Sequence, residues 1–159
     1  MKVLGEFTRH GESIERRFTA SERRMLTNLA SGVVSAMEAA DEPAADTDAV
    51  IARLLPNAYP DDPDAAAEFA GATRARLAAS KAQGAGRIVA DLAAAPGGTL
   101  RLDEAGAIAW LKALGDVRLA LAERIGVAEV QRSVHTPQGM IYAWLTWLQG
   151  SLVEAIEAG

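Results

Sequence analysis

Few side chains in this 159-residue chain combine the type and spacing that chemistry needs, and Arg118 stands first among them. On a helical wheel of 100° per residue it falls in the middle of an apolar stripe of Ala107, Leu111, Leu114, Leu121 and Ile125. A guanidinium in that position is costly unless it is paired and hydrogen-bonded. Two carboxylates are placed to answer it. Asp91 lies near the centre of a mixed stripe (Ala66, Ala70, Thr73, Leu77, Gly84, Ile88, Ala95) on the preceding long helix, and Glu22 lies on the apolar face of the first helix. Arg118, Asp91 and Glu22 are therefore a candidate buried polar network. It reads either as an ion pair that sets helix register or as a pocket in which Arg118 holds an anion.

A second constellation is basic. Residues 1–24 hold six Lys and Arg against four Glu, a balance of +2, whereas the remainder holds 10 against 17, a balance of −7. Arg16, Arg17, Arg23 and Arg24 are the candidate nucleic-acid contacts, carried by a hairpin and the first turn of a helix. Glu12, Glu15 and Glu22 are interleaved with them, so local ion pairing on a solvated face is the plainer reading. Trp110 and Trp147 lie off the centres of their helical stripes and are candidate interface residues, with the edge of the core as the alternative. Asp61, Asp62 and Asp64 could ligate a hard cation, but Asp62 reads as a helix cap and Asp64 as its first-turn partner, so no metal site is expected. His10 and His135 fall in separate loops without a visible partner. With no nucleophile–base pair in sight, the expectation is a protein that is not an enzyme and carries no cofactor.

Composition sets limits on function. No Cys is present, which excludes disulfides, a thiol nucleophile and a thiol redox switch. The net charge of −5 argues against general polyanion binding. The Met1–Glu6 start has no apolar core of a leader, and the longest apolar stretch, Met140 to Leu148, is far short of a bilayer span, so a cytoplasmic protein without membrane contact is expected.

The elements that must position these residues are mostly helices, since Ala, the best helix former, occurs 34 times. Residues 2–18 read as a β-hairpin turning at His10-Gly11-Glu12. Thr19-Ala20-Ser21-Glu22 is a capping box that opens a helix whose stripe is Leu26, Leu29, Val33, Met37 and Ala40. A short helix follows over about 47–55. Asp62-Pro63 opens a helix running to about Ala95, in which Gly84 and Gly86 mark either a break or a close approach. After Pro96-Gly97-Gly98 comes the extended piece Leu100-Arg101-Leu102. Asp103 then caps a helix over 104–125 that Gly126 closes. Thr136-Pro137 starts the last helix, whose core stripe includes Ile141, Trp144, Leu145, Leu148 and Leu152. The expected fold is mainly α: a single domain over 1–159, with the hairpin at 2–18 and a bundle of four main helices and one short helix over 20–157.

Three strings resemble one known family. They are Leu54-Leu55-Pro56-Asn57-Ala58-Tyr59-Pro60-Asp61-Asp62-Pro63 running into Ala67-Glu68-Phe69, the run from Trp110 to Leu121, and the run from Tyr142 to Gln149. Together they are similar to the actinobacterial family once called domain of unknown function 2017 and associated with the oxidative-stress transcriptional regulator AosR. The resemblance implies a regulator of redox-homeostasis genes, acting with a sigma factor or another transcription protein, with promoter DNA as a further partner. It supplies no active site. Without Cys, oxidant sensing would fall to a partner or to Met25, Met37 or Met140. No helix-turn-helix is visible, so protein contact with weak DNA contact suits the charge best. A non-catalytic adaptor or scaffold, and a small-molecule-binding bundle centred on Arg118, are the alternatives. A homodimer is compatible with the central glycines of the long helix and the off-stripe Trp.

Overall fold

The computed structural model describes residues 5–42, 45, 48–56, 63–126 and 135–159, with the backbone alone over 63–70. Two strands open the chain, β1 (Thr8–His10) and β2 (Ser13–Arg17). Helix α1 (Ala20–Glu38), the short α2 (Ala49–Leu54) and the long α3 (Pro63–Ala94) follow. A third strand, β3 (Thr99–Leu102), precedes α4 (Glu104–Ile125) and α5 (Pro137–Glu157). The mainly α architecture is as the sequence predicts, with four long helices and one short one among the described residues.

The helix starts are set by side chains that satisfy otherwise unpaired amides. Thr19 and Glu22 form the reciprocal capping box of α1, with Glu22 N donating to Thr19 Oγ1 at 3.0 Å and Thr19 N donating to Glu22 Oε1 at 2.9 Å. Asp48, Asp103 and Thr136 cap α2, α4 and α5. The Asp62 cap and the Asp61, Asp62 and Asp64 side chains lie outside the described residues.

The hairpin pairs Arg9 with Ile14 and turns at Gly11, whose φ of 63° suits glycine. The structure adds what local spacing did not reveal. The extended piece after α3 returns to pair with β2, Arg16 opposite Leu100 and Ile14 opposite Leu102, giving an antiparallel sheet in the order β1-β2-β3. Gly98 fastens this join. Phe18 N donates to its carbonyl at 2.8 Å. Its φ is +85°, and an added Cβ would stand 2.6 Å from Phe18 O, so only glycine fits.

Helix α3 runs unbroken for 32 residues, about 48 Å. A Cβ on Gly84 would meet Ala113 Cβ at 3.6 Å, an ordinary contact, and one on Gly86 would meet nothing. The glycines therefore neither break the helix nor are demanded by a close crossing. Helix α1 packs along α3, and α4 sits between α3, α2 and α5. The core is closed at the sheet end by three aromatic rings. Phe7, Phe18 and Trp110 stand with centroids 6.1 to 6.5 Å apart, the Phe7 contacts edge-on, in one buried cluster with Leu26, Ile88, Leu114 and Leu148.

Two stripes differ from the wheel expectation. The buried face of α3 is Ala78, Ala85, Ile88 and Leu92, which leaves Leu77 37% exposed. The buried face of α4 is a broad arc through Trp110, Ala113, Leu114, Val117, Ala120 and Leu121. A one-sided wheel misplaces the centre of a helix covered on several sides.

Candidate functional site

The four N-terminal arginines separate by strand and helix geometry. Side chains alternate along a strand, so Ile14, Arg16 and Phe18 point inward and Arg17 points out. Arg16 is 3% exposed. Its Nη1 and Nη2 donate to Glu22 Oε1 and Oε2 at 3.4 and 3.1 Å, and its Nε donates to Gly5 O at 2.8 Å. The guanidinium carbon stands 4.4 Å from the Phe18 ring centroid and 5.6 and 5.8 Å from those of Trp147 and Trp144. Arg16 is thus corrected from a phosphate contact to a structural cation. Its charge is inaccessible, and its fork is taken by a carboxylate that also caps α1. Arg17 and Arg24 are exposed, and Arg23 is half-buried beside Gly98 with Nε lacking a hydrogen-bond partner among the described residues. Arg9 also belongs to the scaffold, with Nε and Nη2 donating to Ala155 O and Ile156 O at 3.0 and 3.1 Å across the C-terminus of α5.

The expected grouping of Arg118 with Asp91 and Glu22 does not form. Glu22 is held by Arg16, and Asp91 Oδ2 accepts from Trp110 Nε1 at 2.8 Å and from Arg87 Nε at 3.2 Å. Arg118 stands at the edge of the α4 arc, its guanidinium 6.0 Å from the Tyr142 ring on α5 and its Nε buried without a hydrogen-bond partner among the described residues. Trp110 is likewise corrected: it is fully buried against Phe7 and Phe18, with its indole N–H satisfied by Asp91, and offers no surface to a partner. Trp147 is 38% exposed.

The residues that the sequence reading did not group are those of an open groove of about 1060 Å³ between α3 and α4. Its floor is small, with Gly84, Ala90, Ala105, Ala109 and Ala113, and Leu77 and Ile108 project beside it at 37% and 43% exposure. Lys81 Nζ and Asp116 Oδ1 bridge the two helices at 2.6 Å. The Arg87–Asp91 pair lies at 3.2 Å, with Arg87 over Gly106 at the start of α4. Lys81, Arg87 and Lys112 stand against Asp91 and Asp116. One positive charge is left over, and Lys112 makes no ion pair among the described residues. Ile108 falling outside the predicted stripe of its helix was the available signal. Leu77 was hidden because the wheel placed it in the core.

His10 and His135 are far apart in the chain and are not brought together in any hydrogen bond among the described residues. No group of three metal-ligating side chains occurs among the described residues, and no described helix is long and apolar enough to cross a membrane. Of the methionines named above, Met37 is buried, Met25 is half-buried and Met140 is 61% exposed.

Comparison with known proteins gives one match. The family model described as a domain of unknown function, DUF2017, covers residues 4–156. No curated protein and no solved structure matches the chain.

Proposed function

We propose that this chain, which belongs to the DUF2017 family, is a non-catalytic regulator of transcription that acts by protein contact through the α3–α4 groove. The observation that carries this reading is the groove itself. A floor of Gly and Ala admits a helix backbone closely, exposed Leu77 and Ile108 supply apolar anchors, and Lys112 leaves a positive charge on the rim. Its partner is an amphipathic helix of a transcription protein, such as a sigma factor, with an apolar stripe and an acidic flank. The resemblance to the AosR family supports oxidative-stress genes as the target and a cytoplasmic setting. The ion pairs support a non-catalytic role, since Arg16–Glu22 and Lys81–Asp116 join separate elements of the scaffold and Arg87–Asp91 lies within α3.

DNA contact is secondary and rests on Arg17 and Arg24, with Arg23 beside them. Without a thiol, Met140 is the accessible methionine for oxidation to the sulfoxide, or the sensing lies in the partner. The test is capture of purified sigma factors and RNA polymerase by the wild-type chain and by Leu77→Glu and Ile108→Glu. Capture that both substitutions abolish supports the reading; absence of capture, or capture indifferent to both, overturns it. In promoter binding, Arg17→Ala with Arg24→Ala should weaken the complex and flatten its salt dependence.

A second reading has its own observation. Arg118 Nε is buried beside Tyr142 along the α4–α5 contact without a hydrogen-bond partner among the described residues. A small anionic ligand there would supply acceptors to Arg118. Thermal stabilisation by small carboxylates or phosphates, lost in Arg118→Met, would favour it.

A further inference from the structure

We infer that the outer face of α5 joins two copies of this chain in an antiparallel pair about a two-fold axis. The face is set apart first by charge. The 18 residues 136–153 contain no Asp, Glu, Lys, Arg or His. The exposed faces of the other long helices all carry charge: Arg24 and Glu38 on α1, Arg76 and Arg87 on α3, Lys112 and Glu123 on α4. Among the exposed positions of α5, Met140, Ala143, Trp147 and Gly150 share one side of the helix at helical spacing, with Thr146 at its edge. Met140 is 61% and Trp147 38% exposed. Depletion of charge with enrichment of Met and Trp is the composition of an interface centre.

Charge also selects a second copy as the occupant. Across a two-fold axis residue i of one copy meets residue j of the other and j meets i, and residues on the axis meet themselves, so a charge near the axis would face its own sign. On a chain of net charge −5, this uncharged stripe pairs with itself without that cost. Its ends add attraction. The only acids near the C-terminus of α5 are Glu154 and Glu157, both exposed, and they sit at the end where the helix's own dipole disfavours them. An antiparallel partner brings its N-terminal turn, Pro137–Gly139, alongside them, and that turn holds no acid to repel them. A Cβ on Gly150 would meet nothing within 4 Å, so the same chain leaves the stripe uncovered there.

The stripe from Met140 to Gly150 is about 15 Å long. That is short of the ~800 Å² per partner of a standard interface, so the pair forms reversibly in the micromolar range or weaker. This surface is separate from the α3–α4 groove, and the two proposals fail independently.

Sedimentation equilibrium from about 1 to 500 µM should show monomer and dimer exchanging with concentration. Gly150→Glu and Ala143→Glu should weaken association by at least ~10-fold while the melting temperature of the dilute monomer holds or rises, because neither substitution touches the core and both replace a residue on the open face. Leu77→Glu should leave association unchanged. Since the chain has no Cys, Thr146→Cys gives a single thiol near the axis, and mild oxidation should link it into a dimer that Leu77→Cys does not form. A monomer throughout the range, association indifferent to both glutamates, or vesicle binding by the face in place of dimerisation would overturn the inference.

Discussion

Two regions of this molecule hold charge pairs and use them in opposite ways. At the junction of β2, α1 and α5, the Arg16 and Glu22 side chains are 1% and 0% exposed. Every strong acceptor there is answered: Glu22 takes two guanidinium N–H groups and the Thr19 amide, and Arg16 also reaches Gly5 O. Along the α3–α4 groove, the Lys81–Asp116 pair is 20% and 14% exposed and the Arg87–Asp91 pair 43% and 29%. The first region joins strand to helix within the protein; the second edges a surface open to something else. Exposure distinguishes the two, and charge alone does not.

The contrast can be broken most strongly at Glu22. Glu22→Ala leaves the Arg16 guanidinium buried and unpaired and removes the α1 cap, so chemical denaturation should show a loss of about 3–5 kcal/mol. The paired replacement Arg16→Met with Glu22→Leu should recover most of that loss, because the desolvation of both charges disappears with them. No recovery would mean that the pair does more than satisfy itself. Next in size is Asp91→Ala, which strands the Trp110 indole N–H in the core and should cost about 1–3 kcal/mol by the same measurement. Lys81→Ala should cost no more than about 1 kcal/mol, given the partial exposure of the pair. Smallest is Arg101→Ala, whose partner Glu15 it meets at 3.1 Å with 69% of its own side chain exposed; its melting curve should overlay the wild type. A large effect at Lys81 would instead place the groove pair with the buried class.

Much of the fold was legible locally. Thr19-Ala20-Ser21-Glu22, Asp103 and Thr136-Pro137 each announced a helix start, because capping chemistry acts within three residues. The Gly11 turn was legible for the same reason. Pairing of β3 with β2 was not, since residues 88 positions apart, such as Ile14 and Leu102, carry no local mark of meeting. The candidate site fared less well. Glu22 was seen to lie on an apolar face, and it is fully buried, but its partner is Arg16 and not Arg118. The alternation of β2 that turns Arg16 inward and Arg17 outward was present in Ile14-Glu15-Arg16-Arg17-Phe18, but the cluster of positive charge obscured it.

The sequence by itself determined where helices begin, which turns need glycine, that no thiol chemistry is available, and that residues 136–153 present no charge. Tertiary structure alone decided which carboxylate answers which arginine, that Trp110 is core and Trp147 partly surface, and that α3 and α4 leave a groove between them. The reason is range. Caps, turns and composition act through neighbouring residues, whereas burial of an arginine or exposure of a leucine depends on which other elements arrive from far along the chain.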